Sequence, residues 1–98
     1  MVKDIEEIKY LIARHKADLA GDYKIKEMGV FGSYVRGEAD DESDLDVLVE
    51  FSEPVGFINF IKAENYLCDL LGIKVDLVLK DSLKPRIGKS ILEEVCRV

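Results

Sequence analysis

The segment GVFGSYVRGEADDESDLDVLVEF, residues 29–51, contains the clearest pattern in the chain. It leaves one apolar segment through the dipeptide Gly-Ser at 32–33 and enters another through Asp-Leu-Asp at 44–46. A glycine at the end of a strand permits a tight turn, which can lead the chain into a short helix. The stretch therefore predicts a strand, a glycine turn, a short helix and a second strand in succession.

The spacing of apolar residues predicts the elements on either side. Intervals of three and four residues indicate amphipathic helices that stop at Gly21 and Gly72. Alternation of apolar and polar residues indicates two strands, and a strand-like segment that runs into Gly32 indicates a third. The predicted helices cover residues 4–20, 57–71 and a segment after Pro85, and the predicted strands cover residues 25–31, 45–51 and 74–79. This order predicts a small β-sheet covered by helices, an α/β or α+β domain.

The length and charge of the chain limit the number of domains and the kinds of partner that can be expected. With 98 residues and 48% hydrophobic content, residues 1–98 are expected to form a single domain with one core. The net charge is -6, from 20 acidic and 14 basic residues. A protein with this charge repels a phosphate backbone, so general nucleic-acid binding is not expected.

The hydropathy pattern gives no sign of a membrane partner. The first residues, MVKDIEEIKYL, carry charges where a signal peptide needs an unbroken apolar stretch. No other run approaches the roughly 18 apolar residues that a membrane span requires. We therefore expect a soluble, cytoplasmic protein.

Three aspartates have a reason to converge. Side chains alternate along a strand, so Asp44 and Asp46 project from one face with their Cα atoms about 7 Å apart. Asp76 lies within a strand between apolar neighbours, where an uncompensated charge costs several kcal/mol. If its strand pairs beside that of Asp46, the three carboxylates share one patch, and their repulsion raises their pKa values without a metal. Oxygen ligands of this kind suit magnesium or manganese.

Other interpretations of the acidic and glycine residues exist. A solvated acidic surface is the preferred interpretation of residues 40–42. A calcium loop that begins at Asp40 is excluded, because Leu45 would stand where that loop needs glycine. The turn at Gly32 and Ser33 could bind an anion, since glycine permits close approach and the serine hydroxyl can donate. Taken alone, however, an ordinary turn is the preferred interpretation of this dipeptide.

Taken together, the motif at 32–33, ten intervening residues, the Asp-Leu-Asp at 44–46 and Asp76 on a later strand resemble the signature of the DNA polymerase beta superfamily of nucleotidyltransferases. The run over residues 29–51 is most similar to the minimal nucleotidyltransferase (MNT) branch, including the Arg36-Gly37 pair. The resemblance implies a palm-like nucleotidyltransferase fold, which is a small mixed β-sheet flanked by helices.

The resemblance also implies roles for individual residues. Asp44 and Asp46 would each bridge two Mg²⁺ ions, and Asp76 would bind one ion and help to deprotonate the acceptor hydroxyl. Gly32 and Ser33 would hold the triphosphate of ATP. Arg36 could contact phosphate, although an exposed structural arginine is an equal possibility.

The activity implied by the resemblance is magnesium-dependent transfer of AMP from ATP to an acceptor hydroxyl. MNT proteins are typically antitoxins paired with a HEPN-domain ribonuclease toxin, which they are thought to adenylylate on tyrosine. The alternative is a binding module that neutralises its partner by contact without catalysis. A third possibility, nucleotide transfer to a small molecule such as an aminoglycoside, is weakened because no second domain is expected.

Overall fold

The computed structural model describes residues 4–40 and 42–98, which form helices around one sheet. In chain order, the elements are α1 (Ile5–Arg14), α2 (Lys16–Tyr23), β1 (Ile25–Phe31), α3 (Ser33–Arg36), β2 (Leu45–Phe51), α4 (Phe57–Leu71), β3 (Val75–Leu79), a 3₁₀ turn (Lys80–Ser82), α5 (Pro85–Glu94) and β4 (Cys96–Arg97). None of the helices in the described part of the chain is long and apolar enough to cross a membrane.

The sheet is mixed, with strand order β3-β2-β1-β4. Strand β1 pairs antiparallel with both β2 and β4, whereas β2 and β3 run parallel. Parallel neighbours cannot be joined by a hairpin, and α4 provides the crossover connection between β2 and β3. The predicted α/β class and mixed sheet are confirmed.

One face of the sheet carries the hydrophobic core. Alternate residues of β2, namely Leu45, Val47 and Val49, are at most 1% exposed. They pack with apolar residues of the three helices on that side, which include Ile8 and Ile12 of α1, Leu19 of α2, and Leu67 and Leu71 of α4. The other residues of β2, including Asp46, consequently point to the opposite face.

Helix α5 covers that opposite face, and strand β4, which follows it, extends the sheet beside β1. Gly29 of β1 is buried there, and a side chain at this position would begin only 2.6 Å from Cγ2 of Val95. Beyond Val95, β4 pairs with β1, and the backbone N–H of Val98 donates to the carbonyl of Met28 at 3.0 Å. The close approach at Gly29 brings the end of α5 down to the sheet.

The structure differs from the sequence prediction at the N-terminal helix and at β4. The helix predicted over 4–20 is interrupted at His15, whose backbone (φ -111°, ψ 13°) leaves the helical region. Gly21 does not end a helix but lies inside α2, which stops instead at Lys24 in the left-handed conformation. Strand β4 was not predicted, because two residues are too short to show alternation.

Candidate active site

The predicted site begins with two aspartates on neighbouring strands. Asp46 is the second residue of β2, Asp76 is the second residue of β3, and the two are direct partners in the parallel pairing. Paired residues of adjacent strands project to the same side of a sheet, and the strands lie about 4.8 Å apart. The expectation that the Asp76 strand lies beside the Asp46 strand is confirmed.

The three aspartates differ in exposure. Asp46 is partly buried, whereas Asp76 and Asp44, which immediately precedes β2, are exposed. The argument that Asp76 needs a compensating charge is therefore wrong, because β3 is the edge strand and the Asp76 side chain reaches solvent. The nearby Asp40 and Glu42 are also exposed, as a solvated acidic surface requires, while position 41 lies outside the described residues.

The carboxylates repel one another. Partial burial of Asp46 and the charges of Asp76 and Asp44 raise the pKa of Asp46 above its ordinary value of 3.8. The guanidinium of Arg36 acts in the opposite direction. The predicted direction of the pKa shift is therefore found for Asp46. Excess negative charge of this kind favours either a bound proton or a bound cation.

The donor atoms suit magnesium, although the site is not preassembled. No three His, Cys, Asp or Glu side chains within residues 4–40 and 42–98 are grouped tightly enough to hold a metal as they stand. The carboxylates of Asp44, Asp46 and Asp76 nevertheless offer only hard oxygen ligands, and a divalent cation among them would remove the repulsion at Asp46. Metal binding would have to draw these side chains together.

Gly32 lies directly against the carboxylate of Asp46. Its backbone (φ 83°, ψ -153°) lies in a region that residues with a side chain rarely adopt, and a Cβ added here would collide with Oδ2 of Asp46. The glycine therefore serves two purposes, because it permits the turn after β1 and leaves space for the aspartate. The turn and the acidic pair form one structural unit.

Helix α3 begins immediately after this glycine. Ser33 is its first residue and is half-buried, and the carbonyl of Gly32 accepts the N–H groups of Val35 and Arg36 at 3.1 Å each. Gly37 then ends the helix in the left-handed conformation. Gly32, Ser33 and Arg36 are thus held on one short segment, and its first residue lies against Asp46.

Arg36 is engaged by two carboxylates. One of its terminal nitrogens, Nη1, lies 2.6 Å from Glu94, and its Nε lies 3.3 Å from Glu38. The hydrogen bond to Glu94 is the largest cause that raises the pKa of the Arg36 guanidinium. About half of the Arg36 side chain, 48%, is exposed. The arginine is therefore charged and close to the site.

Glu94 is the residue of this site that sequence reasoning missed. It is the last residue of α5, and its carboxylate contacts both Arg36 and the backbone N–H of Gly32, the latter at 3.2 Å. Arg36 lies 58 positions earlier in the chain. No spacing rule connects residues so far apart, and the contact arises only because α5 crosses to the Gly32 end of the sheet.

A family comparison identifies the class of protein. The sequence profile of the family described as a nucleotidyltransferase domain matches residues 12–98. This chain is a nucleotidyltransferase. Among curated proteins, it is 50% identical over 94 residues to the protein adenylyltransferase MntA of Thermococcus cleftensis, a match that covers 96% of this chain and 95% of the relative.

Solved structures agree on the fold of this nucleotidyltransferase. A structure described as a minimal nucleotidyltransferase is 35% identical and has a TM-score of 0.78, with 98% of this chain and 97% of the other covered. A second structure, a tri-AMPylated HEPN toxin of Shewanella oneidensis in complex with an MNT antitoxin, contains a chain that is 20% identical. That match has a TM-score of 0.65 over 92% of this chain and 70% of the other, and it shows a shared fold.

Proposed function

We propose that this nucleotidyltransferase transfers AMP from ATP to a tyrosine hydroxyl of a HEPN ribonuclease toxin and thereby acts as its antitoxin. The observation that carries the proposal is the pairing of Asp46 with Asp76, with Gly32 packed against the Asp46 carboxylate. The relative in Thermococcus cleftensis is named a protein adenylyltransferase, and the Shewanella oneidensis complex joins an AMPylated HEPN toxin to an MNT antitoxin. Such an activity needs ATP, and we place it in the cytoplasm.

In this proposal, Asp44, Asp46 and Asp76 hold two Mg²⁺ ions. When bound, the ions lower the pKa of the attacking hydroxyl and neutralise charge on the phosphoryl group and on the leaving pyrophosphate. The acceptor oxygen forms a bond to the α-phosphorus of ATP, and the bond from that phosphorus to the oxygen of the β-phosphate breaks. The hydroxyl proton passes to Asp76, and pyrophosphate leaves.

The exposure of Asp76 supports an acceptor on another macromolecule. Asp76 lies on the edge strand β3 and reaches solvent, so an approaching tyrosine can come within hydrogen-bonding distance without rearrangement of the sheet. Asp46 is partly buried and lies nearer the turn at Gly32. The nucleotide would therefore lie on the Gly32 side of the acidic patch, and the acceptor would approach from the Asp76 side.

The turn at Gly32 and Ser33 holds the triphosphate in this arrangement. The backbone N–H of Gly32 and the hydroxyl of Ser33 can donate to phosphate oxygens, and the Arg36 guanidinium adds a positive charge. Arg36 is close enough to lower the pKa of Asp46, so it also lies close to the proposed metal ligands. These groups would orient the α-phosphorus toward the acceptor.

The position of the label on ATP tests the proposal. The protein and a HEPN partner are incubated with magnesium and with ATP labelled at either the α-phosphorus or the γ-phosphorus. We expect label on the partner from the α position only, one AMP on each modified tyrosine by intact-mass spectrometry, and a weaker signal with Ser33→Ala. Label from the γ position would make the protein a kinase. Tight binding of the partner without any label would instead favour neutralisation by contact.

A further inference from the structure

The carboxylate of Glu94 lies on the two groups that the proposed function assigns to phosphate. Its Oε2 accepts the backbone N–H of Gly32 at 3.2 Å, and its Oε1 accepts from Nη1 of Arg36 at 2.6 Å. Carboxylate and phosphate oxygens are both anionic acceptors that suit a guanidinium and a backbone N–H. One internal anion therefore accepts from both donors in the structure.

We propose that Glu94 takes the place of a nucleotide phosphate in the free protein, and that ATP binds by displacing this carboxylate from Gly32 and Arg36. The inference rests on the proposed function, because it needs these two groups to contact the triphosphate. Glu94 is then an internal competitor of ATP for Gly32 and Arg36. Only molecules in which Glu94 has left Gly32 and Arg36 can bind ATP. The measured affinity for ATP is therefore lower than the affinity of those molecules alone.

Glu94 and a triphosphate would compete for the same positive charge, the guanidinium of Arg36. Glu94 lies close enough to Asp46 for its carboxylate to add to the negative charge there. A triphosphate that enters the same site is repelled by the Glu94 carboxylate, while it attracts Arg36. A multiply charged phosphate group therefore competes with the single charge of Glu94 for Arg36.

The backbone around Glu94 allows its side chain to leave without unfolding the helix. Glu94 is the last residue of α5, and its side chain is 25% exposed. The chain that follows is held separately, because Val95 packs on Gly29 and Val98 donates to Met28. A rotation of the Glu94 side chain into solvent would free the turn while α5 and β4 stay in place.

Nucleotide affinity tests this proposal by isothermal titration of ATP with magnesium. Glu94→Gln keeps the size of the side chain and removes its charge, and Glu94→Ala removes the carboxylate altogether. We expect both variants to bind ATP about three- to tenfold more tightly than the wild type, the range for a lost, partly exposed charged hydrogen bond. Glu93→Gln is the matched control, since it makes the same charge change at the neighbouring exposed residue of α5 and should leave the affinity within about twofold.

The possible results are distinct. Weaker or unchanged ATP binding in both Glu94 variants would overturn the proposal and leave Glu94 as a residue that only fixes α5 to the turn. Thermal melts without ligand identify any variant that fails to fold. If one Glu94 variant fails to fold, the ATP affinity of the other tests the proposal. If neither the wild type nor any variant bound ATP, the proposed function would fail, and the competitor role would fail with it.

Discussion

Asp46 and Asp76 face each other directly across the parallel strands β2 and β3, and no residue of either strand separates them. Two like charges in this position oppose the strand pairing that brings them together, because opposite residues of adjacent strands project side by side. The sheet is held by the apolar residues on its other face, where Leu45, Val47 and Val49 are buried. The acidic pair therefore lowers the stability of the protein, and its presence is consistent with a functional role.

Asp46→Asn should stabilise the protein at neutral pH and abolish transfer. The pKa of Asp46 is raised in the folded state, so folding favours the protonated form of this carboxyl. The stability that Asp46 contributes is complete below the ordinary pKa of 3.8 and is lost as the pH rises through the folded pKa. Melting temperatures at about pH 7 and about pH 3 measure this difference, and the gain should appear only at pH 7. Asp69→Asn on the exposed side of α4 is the control and should change neither stability nor transfer. A variant with wild-type turnover would exclude Asp46 as a metal ligand.

Magnesium with ATP should raise the melting temperature of the wild type, and Asp76→Asn should lose most of this shift. A ligand that binds only the folded state stabilises it by about 2.7 kcal/mol at a hundred times its dissociation constant. Asp81→Asn changes the same charge in the turn just after β3 and should keep the full shift. Removal of magnesium with EDTA should reverse the effect in the wild type. Equal shifts for Asp76→Asn and the wild type would show that Asp76 holds no metal.

Gly32→Ala should damage the site more than Gly37→Ala does. Both glycines have a positive φ, 83° and 74°, so both substitutions strain the backbone by about 1 to 3 kcal/mol. Only the Cβ at Gly32 collides with the Asp46 carboxylate, whereas nothing lies within 4 Å of the corresponding position at Gly37. We expect Gly32→Ala to lose transfer and Gly37→Ala to retain most of it, measured in variants that remain folded by circular dichroism. Similar losses in both would mean that strain alone is responsible.

Gly21→Ala should stabilise the protein by about 0.5 to 1 kcal/mol, because alanine is the better residue inside a helix. Gly21 is exposed within α2, and no atom lies within 4 Å of an added Cβ. Gly72→Ala is the control with the opposite sign. Gly72 ends α4 with a φ of 67°, so alanine at this position should destabilise the protein. Urea unfolding of the two variants measures both signs, and a loss of stability in Gly21→Ala would contradict this interpretation of α2.

Much of the fold follows from local patterns in the sequence. Alternation placed β2 at its observed bounds, the strand-like segment before Gly32 placed β1 at its own, and the glycine at 72 ends α4 as predicted. The break at His15 could not be predicted, because the apolar spacing continues through it and Leu19 is still fully buried. The exposure of Asp76 was missed for a related reason, since alternation does not tell an edge strand from a central one. The single-domain assignment of residues 1–98 stays a prediction.

The candidate site also contains residues that the sequence could indicate and one that it could not. The residues around Gly32 and Asp46 lie close together in the sequence, so the resemblance to the nucleotidyltransferase motif could assign both to one site. The roles of the three aspartates, Gly32, Ser33 and Arg36 stay predictions that the variants above test. Glu94 could not be predicted, because its contact with Arg36 depends on where α5 ends on the sheet. Contacts set by tertiary packing leave no local pattern.

The parallel pairing of β2 with β3 also bears on how fast the protein folds. The two strands are separated in the chain by α4, so their pairing closes a long loop, a slow kind of step. The same step brings Asp46 next to Asp76 and must overcome their repulsion. Neutralising the pair should therefore speed refolding if the strands pair before the rate-limiting barrier, and should slow unfolding if they pair after it. In the second case, the residues proposed for chemistry would also set the lifetime of the native state.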